Sequence, residues 1–226
     1  MNESLLGVGI YTVSEAALLT GVSSRAIRGW LWGYRGKSAK YQAPLWAPQI
    51  PIVDDVKALG FRDLIEIKFV DHFRKRGMSL QYIRKVIDHA TGLLSASYPL
   101  SSVKFKGLGK EIFAEVLEGT PEKKVVFDLY TGQILLSFMW DHLYDALEYS
   151  EFDELARWYP LGKDRRVVVD PRRSFGRPIT PEGVPTEVLS AALKTEKTIA
   201  NVVYWFKVDP KSVTDADEYE NMLLAA

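Results

Sequence analysis

Apolar residues near the amino end of the chain recur at helical spacing and predict two short helices joined by a tight turn. The N-cap of the first helix is predicted at Ser14, because a serine hydroxyl accepts hydrogen bonds from the free amides of the first turn. Gly21 is predicted to end that helix, because glycine readily adopts the left-handed conformation that a sharp exit requires. Ser23 or Ser24 is expected to cap the second helix. The predicted buried face of the second helix consists of Ala26, Ile27, Trp30 and Leu31.

A pair of helices joined by a glycine-containing turn is typical of a helix-turn-helix, in which the second helix enters the DNA major groove. Residues 22–42 carry five basic side chains and no Asp or Glu, so this segment can neutralise phosphates. We expect the amino-terminal part of the second helix to contact bases or phosphates. The predicted DNA-binding residues are Ser23, Ser24, Arg25, Arg28, Arg35, Lys37, Lys40 and Tyr41. The alternative is a small helical hairpin that packs a core and binds nothing.

The following segments predict a strand-like wing and then two longer helices. Three prolines between positions 44 and 51 exclude a helix directly after the wing. An apolar stripe from Phe61 to Phe73 predicts a helix that ends at Gly77, and Ser79 is expected to cap the next one. Residues 1–95 are therefore predicted to form a winged helix-turn-helix domain.

Between Val103 and Ser137 apolar and polar residues alternate, which predicts strands of a small antiparallel sheet. Tyr130–Gln133 has the composition of a hairpin turn. A helix is predicted from Phe138 to Leu147. The acidic residues between Asp141 and Glu154 are expected on a solvated helix face, and the alternative is a site for a divalent ion. Residues 96–160 are accordingly assigned to a small sheet and helix that link or dimerise the chain.

The last part of the chain returns to helical spacing after a short strand predicted at Val167–Val169. Leu161–Asp164 is the predicted linker before it. Three short helices are predicted, one with Thr186 as its N-cap, one across 198–206 and one within 213–224. Because the last helix carries several acidic side chains, this three-helix unit is expected to contact protein rather than DNA. Residues 161–226 thus form a third predicted domain, and the fold class expected for the whole chain is α+β.

Composition narrows the chemistry that the chain can perform. Its 226 residues include 29 basic and 29 acidic side chains, three histidines and no cysteine, which excludes thiolate nucleophiles and disulfides. No histidine stands in a catalytic or metal-binding pattern, and no phosphate-binding glycine motif is present. We therefore expect no enzymatic activity and no bound metal or cofactor. No apolar run approaches membrane-spanning length and the first residues lack a signal peptide pattern, so we expect no membrane partner and a cytoplasmic location.

The amino-terminal segments resemble a MerR-like DNA-binding domain. The resembling residues are Tyr11–Ala17, Thr20–Ser23, Ile27–Trp30, Leu64–Phe73 and Gly77–Ile83. The resemblance covers most of the first predicted domain and implies a winged helix-turn-helix. The chain lacks that family's long coiled-coil helix and its cysteine ligands, so metal sensing is not implied.

The carboxy-terminal segment resembles a small domain found in bacterial antitoxins that are often encoded beside PIN-type ribonuclease toxins. The resembling residues are Val169–Pro171, Phe175–Ile179 and Gly183–Thr186, with the helices that follow. Together the two halves resemble a VapB-type antitoxin that has its own DNA-binding domain. The resemblance implies a homodimeric repressor that binds its own operator DNA and neutralises a PIN-type ribonuclease toxin.

Arginines crowd the entrance to the last predicted domain. They are Arg165, Arg166, Arg172, Arg173 and Arg177. The resemblance implies a partner whose active site holds a metal ion with carboxylates, and guanidinium groups pair with carboxylates in bidentate fashion. We therefore predict that these arginines bind the toxin. The alternative is that they pair with Asp164, Asp170 and Glu182 within the domain.

Two other functions remain open at this point. One is a stand-alone helix-turn-helix transcriptional regulator whose carboxy-terminal part senses a ligand or oligomerises. The other, with less support, is a nuclease or another enzyme that uses the acidic stretch. Co-purification with a small ribonuclease distinguishes an antitoxin from a stand-alone regulator, and metal-dependent cleavage would support the enzyme.

Overall fold

The computed structural model of the chain describes residues 7–35, 41–118 and 142–225. These residues form helices and small antiparallel sheets, so the predicted mixed α+β class is confirmed. Lys37, Lys40 and the hairpin turn predicted at Tyr130–Gln133 lie outside the described residues.

The first part of the chain alternates short strands with helices. Its elements are β1 (Tyr11–Thr12), α1 (Val13–Thr20), α2 (Ser24–Trp32), β2 (Tyr34–Arg35), β3 (Tyr41–Gln42), β4 (Ala58–Leu59), α3 (Phe61–Lys75), α4 (Leu80–Leu94) and α5 (Val103–Glu118). Strand β1 pairs with β4, and β2 pairs with β3, each in an antiparallel two-stranded sheet. The β2–β3 pair thus stands where the sequence predicts a wing after the second helix.

The second part of the chain begins with one four-stranded sheet and ends with three helices. The strands are β5 (Leu147–Tyr149), β6 (Leu155–Trp158), β7 (Val168–Val169) and β8 (Pro178–Ile179), which are antiparallel neighbours in chain order. The helices are α6 (Thr186–Glu196), α7 (Ile199–Phe206) and α8 (Pro210–Ala225). The prediction of Thr186 as the N-cap of α6 is wrong, because Pro185 is the N-cap and Thr186 is the first helical residue. The sheet takes two strands from each side of the linker predicted at Leu161–Asp164, and the domain limits at 95 and 160 stay predictions.

Helix α1 begins two residues earlier than the sequence suggests, so the prediction of Ser14 as its N-cap is wrong. Thr12 is the N-cap: its hydroxyl accepts from the Glu15 amide at 3.2 Å, and the Glu15 carboxylate accepts from the Thr12 amide at 2.7 Å. The other end is confirmed, because Gly21 adopts a left-handed conformation with φ of 70°. Ser23 caps α2, since its Oγ accepts from the Ala26 amide at 3.3 Å.

Residues 103–118 form helix α5, so the prediction of strands across this part of Val103–Ser137 is wrong. The largest buried side chains of α5 are Phe105, Ile112 and Phe113. Their spacing places them on one helical face, which the apolar–polar alternation concealed. The ring centroid of Phe113 lies 5.2 Å from that of Phe73 on α3 and 5.9 Å from that of Tyr82 on α4. As a helix, this segment packs its aromatic face against both α3 and α4.

The helix predicted from Phe138 to Leu147 is wrong at its carboxyl end, because residues 142–145 are helical but β5 begins at Leu147. The expected solvated helix face of acidic residues is therefore wrong at Glu148, which lies on β5. Its carboxylate accepts from Arg157 Nη1 at 2.9 Å and also from the Tyr159 hydroxyl. Glu148 thus joins neighbouring strands of the sheet.

Most buried apolar side chains of the described residues belong to one core that extends from Tyr11 to Val169, which we call the large core. Helix α3 is its centre, with ten buried residues. A separate small core lies among α6, α7 and α8. It consists of Leu189, Val202, Val208, Val213 and Ala216. Within the described residues, no helix has the length and apolar character needed to span a bilayer.

The segment before β1 connects the two parts of the molecule. The Ile10 amide donates to the carbonyl oxygen of Phe175 at 3.1 Å, and the Tyr11 hydroxyl donates to the carbonyl oxygen of Gly176 at 2.8 Å. Gly176 has φ of +83°, and a Cβ at this position would lie 2.2 Å from the Tyr11 hydroxyl oxygen. Only glycine fits at position 176. The close approach that it allows, together with the two hydrogen bonds, holds the segment before α1 against the 3₁₀ turn Ser174–Gly176.

Candidate functional site

Helix α2 presents two arginines to solvent while its opposite face is buried. Arg25 and Arg28 are exposed, and Ile27, Trp30 and Leu31 belong to the large core. Because the buried face fixes the rotation of α2, both guanidinium groups project from one side of the molecule. The predicted division between core and exposed basic residues on this helix is confirmed.

The exposed side of α2 and the first strand of the β2–β3 pair line one shallow concavity. Its residues include Ser23, Arg25, Arg28, Tyr34 and Arg35, which we call the basic surface. Four of these five residues belong to the DNA-binding set predicted from the sequence, and Tyr34 does not. Tyr34 packs over Gly29 on α2, where a Cβ would lie 3.3 Å from the ring. The glycine at position 29 is therefore the sequence feature that could have indicated the contact with Tyr34.

Gly33 makes the close approach between α2 and the β2–β3 pair sterically acceptable. It has φ of +75°, and a Cβ there would lie 2.5 Å from the Gln42 carbonyl oxygen and 2.6 Å from the Tyr41 hydroxyl. Tyr41, which is 57% exposed, therefore lies against the carboxyl end of α2. This position brings a fifth residue of the sequence-predicted set beside the basic surface.

Backbone contacts hold the segment after β3 in place. The Leu45 amide donates to the Trp30 carbonyl oxygen at 2.7 Å. From α4, Arg84 donates to the carbonyl oxygens of Pro44 at 2.6 Å and Ala43 at 2.7 Å. The β2–β3 pair is thus anchored at its carboxyl end, and Arg84 serves this anchoring contact rather than a ligand.

Charge on the basic surface is uncompensated within the described residues. Arg25, Arg28 and Arg35 form no ion pair with a described carboxylate. Exposed guanidinium groups in this state are available to bind phosphates or the edges of guanine bases. The arrangement therefore has the chemistry of a nucleic-acid contact surface.

The arginines near the last predicted domain divide into two groups, of which the first is internal. Arg165 donates through Nε to Asp215 at 2.9 Å and also pairs with Glu218. Arg166 donates through Nη2 to Glu182 at 2.6 Å. Partial burial by itself would raise the pKa of Glu182, but the hydrogen bond from Arg166 and bonds from backbone amides hold this pKa low, at about 2. Both arginines bind carboxylates of the same domain.

The second group surrounds the 3₁₀ turn Ser174–Gly176. Arg172 and Arg177 are exposed, and Arg173 donates to the Pro181 carbonyl oxygen at 3.2 Å. Arg177 lies 3.1 Å from Glu187 in a pair whose two side chains are both mostly exposed. Phe175, at the centre of the turn, is 71% exposed and has φ of 55°, which is uncommon for a bulky residue. The turn therefore presents an aromatic ring between guanidinium groups.

The other two acidic residues suggested as partners of these arginines have different contacts. Asp170 is buried and accepts from Arg157 Nε at 2.9 Å and from the Arg172 amide at 2.9 Å. The carbonyl oxygen of Asp164 accepts from Lys211 Nζ at 2.9 Å. The alternative that the arginines pair within the domain is thus confirmed for Arg166 with Glu182, and Arg165 uses different acids.

Two carboxylates are buried in the large core near α3. Asp63 accepts from Trp46 Nε1 at 2.8 Å and from the Gly60 amide at 2.9 Å. Glu66 accepts from the amides of Leu100 at 3.3 Å and Ser101 at 2.8 Å, and burial raises the pKa of Glu66 to about 7. These contacts attach loops to α3. Among the described residues, no cluster of three or more potential metal-ligating side chains occurs.

Comparison with known proteins supplies information that the geometry lacks. No protein-family model matches the chain. A protein of Mycobacterium tuberculosis named "Putative antitoxin VapB45" is 27% identical over an alignment of 228 residues, which covers 95% of this chain and 95% of that protein. The X-ray crystal structure of Rv2018 from Mycobacterium tuberculosis superposes with a TM-score of 0.70 at 20% identity, over 93% of this chain and 98% of that one. The fold is therefore shared over nearly the whole chain, and a distant relative carries an antitoxin name.

Proposed function

We propose that the chain is the antitoxin of a type II toxin–antitoxin pair, which represses its own operator and neutralises a PIN-type ribonuclease toxin. The observation that carries the proposal is the antitoxin name of a distant relative that aligns with 95% of both chains. The exposed, uncompensated basic surface is what an autorepressor requires for DNA. The proposal assigns no catalytic activity to the chain itself.

In the DNA-bound state, α2 is the recognition helix of a winged, MerR-like helix-turn-helix. Its amino-terminal part, with Ser23, Ser24 and Arg25, faces the bases, while Arg28 lies one turn farther on. The β2–β3 pair is the wing. The DNA sugar-phosphate backbone is contacted by Arg35, Lys37, Lys40 and Tyr41. A homodimer would place two such surfaces on the two halves of an operator.

In the toxin-bound state, the arginines around the 3₁₀ turn bind carboxylates of the nuclease. Arg172, Arg173 and Arg177 fit this role because their guanidinium groups have no described carboxylate or only an exposed one. Arg165 and Arg166 fit it less well, since a partner would have to replace Asp215, Glu218 and Glu182. The proposed inhibitory contact is therefore the turn that carries Phe175.

Binding to the promoter upstream of the chain's own gene tests the DNA part of the proposal. We expect the double substitution Arg25→Ala/Arg28→Ala to weaken binding by at least about tenfold and to lower the salt dependence of the affinity. Fluorescence anisotropy with a labelled promoter fragment at several salt concentrations measures both. A Lys163→Ala/Lys194→Ala variant, which removes the same charge at exposed positions elsewhere, is expected to bind like the wild type. Equal weakening in the two variants would contradict a specific role for α2.

Co-expression with the protein encoded beside the chain tests the toxin part. We expect wild-type chain to co-purify with this neighbour and to suppress its ribonuclease activity. Replacing Arg172, Arg173 and Arg177 together by alanine should release that activity while binding to the promoter fragment is retained. If inhibition survives the triple substitution, the arginines are not the inhibitory contact.

A further inference from the structure

Helix α7 carries more apolar side chains than the small core buries. All of its eight residues except Asn201 are apolar or aromatic, yet Val202 alone among them is fully buried. Tyr204 and Trp205 are 64% and 65% exposed, respectively, although both rings are large. Adjacent exposed aromatic rings on an ordered helix mark a contact surface, because tyrosine and tryptophan dominate the energetics of protein interfaces.

The aromatic pair makes contacts within the chain that fix its geometry. The two ring centroids are 5.3 Å apart at an interplanar angle of 74°, and Lys207 Nζ lies 4.2 Å from the centroid of Tyr204. Both ends of α7 are closed, by the Thr198 hydroxyl at the amino end and by a bond of 2.9 Å from the Lys207 amide to the Val203 carbonyl oxygen. A partner would therefore lose little free energy to the ordering of these side chains.

Positive charge stands at both ends of α7. Lys197 precedes the helix and Lys207 follows it, and neither forms an ion pair with a described carboxylate. The nearby acidic side chains have other partners, since Glu196 accepts from the Asn201 amide group and Asp209 accepts from the Lys211 amide. A partner surface complementary to α7 is thus apolar in the middle and acidic at its rim.

Two other occupants fit this surface less well. A second copy of the chain, docked symmetrically along α7, would bring lysines of one copy near lysines of the other. A nucleic acid is bound mainly through several cationic groups, whereas this surface offers an apolar centre and two lysines. Protein with an acidic rim avoids both conflicts.

We propose that Tyr204, Trp205 and Lys207 form a docking surface for the toxin, whose matching surface is an apolar depression bordered by carboxylates. This inference rests on the proposed antitoxin function and adds a contact by residues other than the arginines. The aromatic pair anchors the complex, and the arginines of the 3₁₀ turn block the active site. Loss of the anchor weakens binding, whereas loss of the arginines abolishes inhibition.

Affinity measurements with the full-length chain test the anchor, with the purified neighbour-encoded protein as the probe. Trp205→Ala and Tyr204→Ala should each weaken binding at least about thirtyfold, mainly through faster dissociation, as truncation of a hot-spot residue does. Phe152→Ala is the matched control, since Phe152 is an aromatic residue that is 86% exposed. It should leave the affinity unchanged. Lys207→Glu should slow association, with the largest effect at low salt.

The outcomes separate this inference from the proposed function. Wild-type binding that is unaffected by Tyr204→Ala and Trp205→Ala overturns the inference and leaves the antitoxin function standing. Wild-type chain that fails to bind the probe overturns both. A dimer that dissociates on Trp205→Ala, while probe affinity is unchanged, identifies a second copy as the occupant and also overturns the inference. An unchanged melting temperature and unchanged promoter binding in both variants exclude misfolding as the cause of a lost affinity.

Discussion

The large core and the small core stabilise their parts of the molecule in different ways. The large core is continuous from Tyr11 to Val169 and has fully buried aromatic rings such as Phe69, Phe73 and Tyr144. The small core contains Leu189 as its largest fully buried side chain. Because apolar burial stabilises by about 25 cal/mol per Å², it contributes much more to the stability of the large core than to that of the small core.

Polar contacts compensate in the three-helix unit. Asp215 is buried and accepts from Arg165 Nε at 2.9 Å and from the Arg166 amide at 2.7 Å. Ser190 on α6 donates to Asp217 on α8 at 2.8 Å. A unit that depends on hydrogen bonds and ion pairs can leave apolar surface uncovered, as α7 does. The helix pair proposed to bind DNA thus has an apolar support, whereas the surface proposed to bind a partner protein belongs to a unit supported mainly by hydrogen bonds and ion pairs.

The largest expected effect comes from removing an aromatic ring at the centre of the large core. Phe69, whose ring centroid lies 4.9 Å from that of Tyr144, is 1% exposed. Phe69→Ala should lower the free energy of unfolding by about 3–5 kcal/mol, because it leaves a cavity that neighbouring helices cannot fill. Urea denaturation measures this change. The exposed control Phe152→Ala should stay within about 0.5 kcal/mol of the wild type, and a small effect of Phe69→Ala would contradict the assignment of α3 as the centre of the core.

A smaller effect is expected from the buried acid of the three-helix unit. Asp215→Ala removes the acceptor of Arg165 Nε and of the Arg166 amide, and should lower stability by about 2–3 kcal/mol. Glu218→Ala is the matched control, because it contacts the same arginine through a side chain that is 50% exposed rather than 3%. Its effect should be about 0.5 kcal/mol. Hydrogen exchange of the α8 amides measures the local change, and equal effects of the two variants would show that burial of Asp215 contributes nothing.

The two parts should respond to pH with opposite signs. Burial raises the pKa of Glu66 from its ordinary value of 4.5 to about 7, so the folded large core binds the extra proton and loses stability as pH rises through this window. The pKa of Glu182 falls to about 2, so its contribution is present above pH 4.5 and is lost as pH falls toward 2. Each slope is at most about 1.4 kcal/mol per pH unit. Urea denaturation across pH measures the free energy of unfolding. Glu66→Gln should flatten only its fall above pH 4.5, and Glu182→Gln only its fall below pH 4.5. If each substitution changed both slopes, the two carboxylates would not act independently.

The smallest effect on stability is expected at an exposed arginine. Arg177 pairs with Glu187 through side chains that are 62% and 59% exposed, and such pairs contribute about 0–1 kcal/mol. Arg177→Ala should therefore leave thermal unfolding nearly unchanged while weakening inhibition of the neighbour-encoded ribonuclease. Arg166→Ala, which releases Glu182, should lower the melting temperature. If both substitutions lower it equally, the division of the arginines into internal and available groups is wrong.

Local signals predicted the parts of the site that depend on one helix. The cap at Ser23, the left-handed Gly21 and the buried side of α2 follow from short-range rules, and the structure confirms them. The exposure of Arg25 and Arg28 follows from the same periodicity. Tyr34 was missed because its contact with α2 depends on the absence of a side chain at Gly29, which periodicity does not register.

Alternating polarity misled the prediction for residues 103–118, because a short amphipathic segment can satisfy both periods. Its apolar residues match a strand by alternation and a helix by the spacing of Phe105, Ile112 and Phe113. The choice is made by the surface that the segment meets. Here that surface consists of aromatic rings on α3 and α4.

The sequence alone determined the α+β class, the helix pair near the amino end, its exposed basic side chains and the three helices at the carboxyl end. These follow from spacing, caps and charge within a few residues, where neighbours along the chain are also neighbours in space. Tertiary structure alone decided that Arg165 and Arg166 are bound internally by acids up to 53 residues away, and that Tyr204 and Trp205 are left uncovered. The physical reason is that a charge or a ring is buried or exposed by whatever packs over it, and the folded chain draws that partner from a distant position.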